Sequence, residues 1–271
     1  MLPQHDARLD WLSASIRREV ERSRGVIPRA NSEAAADEAY LKPFGALFQD
    51  LVTFRLRSTW DHLQALEILL RYSATAAPFA PYSVARAALV SAAIAHWLVT
   101  GDASQRRSAA LQVHVYDLNR DLLFLQANLN DSVGRLSGQQ QQIFRSAIAL
   151  RNELLDVLHA ERRQLAGARS DASQPGRNTR LDELALVAGA QHLFDEAEIN
   201  PRLGVMYMRL SGVAHAMPWA SNKNRQRLGD LPGGLERYVH VGDRGELIDC
   251  GWATAYIAIA AQKQFAQLCS D

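Results

Sequence analysis

Thirty lysines and arginines against 29 acidic residues leave this chain of 271 residues at a net charge of +1. No bulk field draws it onto nucleic acid or a membrane surface, which excludes broad, non-specific coating and leaves room only for a local basic site. The hydrophobic fraction of 48% and charged fraction of 22% are those of a globular protein, long enough for one large domain or two small ones.

Cys250 and Cys269 make neither a CxxC pair nor a disulfide framework. The opening Met1 to Asp6 lacks a basic and an apolar signal region, so a reduced, cytoplasmic chain is expected. In chain order, residues 6–24 read as a first helix with Leu9, Leu12, Ile16 and Val20 on one side. Asn31 or Ser32 caps a short helix through Glu38, and Lys42-Pro43 interrupts it. A long helix follows from about Phe44 to Tyr72, and Ala76 to Pro81 is a turn. The next helix, Pro81 to Val99, is alanine-rich, as suits an element with close neighbours on several sides. Interrupted by Pro78, Pro81 and Arg86, the apolar run 76–99 reads as a core helix, with no membrane partner. Arg86 is its only formal charge and must find a carboxylate, carbonyls or a water-filled pocket.

Asp102 with Gln105 is a capping-box-like start. Leu111, Val115, Leu118, Leu122, Leu125 and Leu129 make a coiled-coil-like seam, repeated by Ile143, Ala147, Leu150, Leu154 and Val157. Residues 102–131 and 139–166 therefore predict a long antiparallel helical hairpin, with a turn at Asp131 to Gly138. Such a hairpin offers a surface for a homodimer or wraps its own core. A polar linker spans about 167–180. Helices resume at Leu181 to Phe194 and Pro201 to His215. Asn222 to Gly234 is polar, and Tyr238 to Asp249 predicts a small β-hairpin turning at Gly242 to Gly245. A last helix covers Trp252 to Leu268. The fold class is all-α: a helical bundle, one domain over 1–271, with a long helical hairpin and a small C-terminal β-hairpin.

The stretch Met206 to Trp219 carries the most chemistry. Met206, Leu210, Val213, Ala214 and Met217 recur at helical spacing as a core face, while Tyr207, Ser211 and His215 form a polar stripe beside it. Pro218 is the expected stop. Histidine titrates near neutrality and serves as acid or base, and arginine binds phosphate bidentately. Arg209 and His215 are thus a candidate catalytic pair, although on a straight helix they point about 120° apart. His215 equally fits a helix-end histidine bonded to Ser211 or Tyr207. Asp61-His62 is a second acid–base candidate. The scattered histidines and cysteines predict no metal site, and no motif calls for a cofactor.

Arg209-x5-His215 resembles the hallmark of the HEPN superfamily of small helical-bundle proteins. Arg86, Trp97-Leu98, Tyr207, Ser211 and His215 together resemble uncharacterised bacterial helical proteins of the DUF5677 kind. The spacing alone also occurs from Arg55 and Arg57 to His62 and from Arg107 to His114, so the surrounding residues carry the likeness. Leu210 stands where the HEPN motif carries a polar residue, and Val90 where an acid follows the helix arginine. The resemblance implies a dimeric, metal-independent ribonuclease or RNA-binding protein, toxin- or defence-related. His215 would be the acid/base, Arg209 and Arg86 would contact phosphate, Tyr207 and Ser211 would orient, and Trp219 would be a further binding residue. The alternative is a non-enzymatic helical interaction or small-ligand-binding module with a structural Tyr207–Ser211–His215 network.

Overall fold

The computed structural model describes residues 2–22, 26–72, 79–131, 136–167, 180–195, 201–221, 225–231 and 235–270. The chain is all-α. Its helices are α1 (Leu2–Arg22), α2 (Glu33–Leu41), α3 (Phe48–Tyr72), α4 (Ala80–Val99), α5 (Ala103–Asp131), α6 (Gly138–Gly167), α7 (Glu183–Gly189), α8 (Leu203–Ala214), α9 (Pro218–Ser221) and α10 (Arg244–Ser270). The expected linker falls largely on residues outside those described, as does much of the expected turns near 76 and 132.

Two compact units organise these helices. The first comprises residues 1–27, 52–99 and 182–270. Its centre is α4, packed by α10, α8 and α7. The alanines explain this position. Ala85, Ala88, Ala92, Ala93 and Ala95 are all buried, and their small side chains let several neighbours approach closely. By length and composition α4 could cross a bilayer, yet most of it is buried inside the protein. On α10, Gly251 has no room for a side chain: a Cβ there would lie 2.9 Å from Leu12.

The second unit comprises residues 28–51 and 100–181. Here α5 and α6 form the expected hairpin, and α2 packs on α5. Asp102 and Gln105 cap α5 reciprocally: Gln105 N–H donates to the Asp102 carboxylate, and Asp102 N–H to the Gln105 carbonyl, both at 2.8 Å. Ser32 caps α2, accepting from Ala35 N–H at 3.2 Å. α3 starts at Phe48 rather than at Phe44. A 3-10 turn at Lys42–Phe44 ends on Gly45, whose φ of 71° is left-handed, so the helix must restart.

The predicted seam of α6 is split: Ala147 and Leu154 are half-buried, and its other three positions are exposed. Ile143, Leu150 and Val157 lie on its exposed side, while Phe144, Ile148, Leu155 and Leu158 turn inward. Heptad spacing alone does not say which positions of such a seam are covered.

The predicted β-hairpin is also overturned. Its proposed turn and second strand are the beginning of α10, which starts at Arg244. Asp243 accepts from Glu246 N–H at 3.0 Å and Leu247 N–H bonds the Asp243 carbonyl at 3.1 Å, so Asp243-x-x-Glu246 is a helix N-terminus. A different backbone pairing, Arg225–Leu231 antiparallel to Leu235–His240, precedes it.

Candidate functional site

α8 ends before its proline. His215 is the C-cap, and Ala216 adopts a left-handed φ of 54°. Ala216 N–H bonds Val213 O at 2.9 Å and Met217 N–H bonds Gly212 O at 2.8 Å. This Schellman closure satisfies the last carbonyls without help from Pro218. Pro218 instead opens α9, where its fixed φ and missing N–H suit the first turn. Met217, expected in the core face, is therefore exposed beyond the helix end. Because a left-handed alanine carries a Cβ penalty, Ala216→Gly is expected to stabilise the protein by about 0.5–1 kcal/mol. A thermal melt that moves downward instead would show that the closure does not rest on this residue.

α9 folds back onto α8 at Gly212. A Cβ on Gly212 would meet Ala220 at 2.6 Å and the Trp219 ring at 2.7 Å, so only glycine permits this contact. The rest of Trp219 is open, with 63% of its surface exposed. Val205 and Met208, one turn apart on α8, are exposed as well, as are His215 and Met217.

The two arginines of interest both carry carboxylate partners. Arg86, half-buried on α4, ion-pairs with Glu183 in the first turn of α7. It also donates to the Tyr207 hydroxyl at 3.4 Å and lies over the Tyr207 ring. Tyr207 in turn donates to Glu183 at 2.8 Å. Burial raises the Tyr207 pKa; Arg86 pulls against that shift and Glu183 adds to it, so the phenol stays a donor. Arg209 ion-pairs with Glu246 in the first turn of α10, each side chain less than one-fifth exposed. Tyr82, one helical turn before Arg86, donates to Glu246 at 3.2 Å and accepts from Asp243 N–H at 3.0 Å. α4, α7, α8 and α10 are thus joined by two arginine–glutamate–tyrosine clusters.

The sequence-predicted residues separate accordingly. Arg86 and Tyr207 come together, around Glu183. Arg209 turns to Glu246, while His215 sits exposed at the helix end. Tyr207 gives its hydroxyl to Glu183 rather than to Ser211 or His215, and Ser211 is half-buried. Trp219 packs on Gly212, one turn before His215. At the other candidate, His62 Nδ1 lies 2.7 Å from the Ser58 carbonyl and is bound to its own helix, while Asp61 is exposed. Sequence reasoning missed Glu183, Glu246 and Tyr82. The only signal for the glutamates was their place in first turns after Asp182 and Asp243, where acids favour the helix dipole.

Against family models, curated proteins and solved structures, the chain finds no match.

Proposed function

We propose that the chain is a non-enzymatic interaction protein, and that the ledge formed by α8 and α9 docks an apolar-faced helical segment of a partner. The observation that carries this reading is the exposed set Val205, Met208, Met217 and Trp219, held on one α-helical turn system by the Gly212–Trp219 contact. Adaptable methionines beside a rigid aromatic are a surface that accepts an amphipathic helix. The arginine clusters then have a structural role. Each guanidinium meets a carboxylate, and an RNA phosphate would have to displace Glu183 or Glu246 to reach it.

A metal-independent, HEPN-like RNA-cleaving site is the second reading. Its support is the exposure of both His215 and Trp219, an acid/base group beside a ring on which an unpaired base could stack. One experiment separates the two. A photo-crosslinking residue at Val205 should capture a protein segment in cells, and Trp219→Ala should abolish that capture. Purified protein should leave single-stranded RNA intact in EDTA across pH 5.5–8.5, a window spanning the ordinary histidine pKa. Crosslinks to RNA, or cleavage lost in His215→Ala, would reverse the choice.

A further inference from the structure

Three of the chain's four methionines fall between positions 206 and 217, within α8 and the bend that follows it. Met208 and Met217 are each 46% exposed, while Met206 is half-buried. An oxygen added to either exposed side chain has solvent to face and need not open the interior. The cysteines, ordinarily the first sulfurs to meet an oxidant, are out of reach. Cys250 is fully buried and Cys269 is 4% exposed. Burial pushes the Cys250 thiol up to about 12, so at neutral pH it holds no thiolate, which is the reactive form. Among the described residues, Met208 and Met217 are therefore the sulfur side chains most open to solvent.

From this distribution of sulfur we infer that Met208 and Met217 are a reversible oxidation site, and that their sulfoxides switch off docking at the α8–α9 ledge. The switching rests on the docking function proposed above; the oxidation does not. The reaction is a two-electron oxygen transfer from hydrogen peroxide. An S–O bond forms as the O–O bond breaks, the sulfur gives up two electrons, and the second oxygen leaves as water with both protons. A thiol-dependent reductase reverses it, releasing the oxygen as water while its dithiol becomes a disulfide. The sulfoxide is polar and chiral where the thioether was apolar and adaptable. Met208 stands one turn before Gly212, the residue that seats Trp219, and Met217 stands two residues before that ring. Oxidation thus sets two S=O dipoles into the apolar set Val205, Met208, Met217 and Trp219. A docking helix would have to strip water from both, without a hydrogen bond in return from its apolar face.

The full chain carrying the photo-crosslinker at Val205 tests it. The protein is treated with hydrogen peroxide, and catalase removes the peroxide before the protein meets cell lysate. Peptide mass mapping should show Met208 and Met217 each gaining one oxygen before Met206 does, with helical circular dichroism and melting temperature unchanged. Capture at Val205 should fall about tenfold, the factor that losing one buried methionine's apolar contribution represents. Methionine sulfoxide reductases for both sulfoxide epimers, supplied with a dithiol, should restore it. The double variant Met208→Leu, Met217→Leu keeps volume and apolar character without a thioether, so it should capture like the wild type and ignore peroxide. Oxidation that spares either position, or that strikes Met206 first, would overturn the site. Sulfoxides formed at both positions with capture unchanged, or a double variant that still responds to peroxide, would overturn the switch and leave the docking function standing. No capture by the untreated protein would overturn the docking function and the switch together, whatever the mass map shows.

Discussion

Asp37→Ala is expected to cost about 3–5 kcal/mol of stability, the scale for stranding a buried charge. Asp37 on α2 is fully buried, and Arg106 in the first turn of α5 is 3% exposed. Arg106 Nε donates to one carboxylate oxygen at 2.7 Å and Arg107 Nε to the other at 2.8 Å. The rest of the Arg106 fork is also engaged, with Glu33 at 2.6 Å and the Gly101 carbonyl at 2.9 Å. Gly101 has a φ of 88°, a left-handed turn that a residue with a Cβ would strain. Alanine at 37 removes the innermost anion and leaves the guanidinium facing the interior with only the exposed Glu33. Urea unfolding read by circular dichroism measures the loss, and hydrogen exchange should show Glu33–Leu41 opening first. Pairing Asp37→Leu with Arg106→Met should recover much of it, since a buried ion pair replaced as a pair by apolar groups is often nearly neutral. A single-variant loss below about 1 kcal/mol would place this network with ordinary surface pairs.

This network shows where sequence reading stopped. Element type was legible wherever period and cap agreed. The alanines of α4 and the Asp102–Gln105 box mark real helices, and the paired seams foretold the α5–α6 hairpin. Partners were not legible. Arg86 needed a carboxylate, but Glu183 lies 97 positions away, and nothing local singles it out from the other acids. Arg106 sits in a polar run, Gln105-Arg106-Arg107, that reads as a solvated first turn. Its burial comes from α2 closing over it. The N-terminus of α10 was misread for a local reason. Gly242 and Gly245 flank Asp243, and Val239, Val241 and Ile248 supply β-formers on either side, so turn chemistry and capping chemistry compete for one stretch. The structure resolves the competition through Tyr82, whose hydroxyl takes the Asp243 N–H and holds Glu246. At the candidate site, helical geometry alone foretold that Arg209 and His215 diverge, and they do. The counter-charges that occupy the arginines could come only from the fold.

Below neutral pH the protein is expected to lose about 3 kcal/mol through one histidine, an amount that follows from proton linkage. His96 lies on α4, 8% exposed, with its ring 5.4 Å from that of His192. Burial, together with the neighbouring His192, depresses its pKa to about 4. In the native state the imidazole therefore stays neutral down to that value. In the unfolded chain it takes a proton near its ordinary 6.5. Between these two values the unfolded state binds more protons, so stability falls as pH falls. The contribution is fully present above about pH 6.5 and lost progressively by about pH 4, with a limiting slope of roughly 1.4 kcal/mol per pH unit. Carboxylates titrate in the lower part of this window, so the measurement is a difference. His96→Gln keeps a hydrogen-bonding side chain of similar reach and removes the titration. Urea midpoints at several pH values should then show the wild type declining more steeply than the variant, with the gap closing near neutrality. Parallel curves for the two proteins would mean that His96 takes its proton as readily in the folded chain as in the unfolded one.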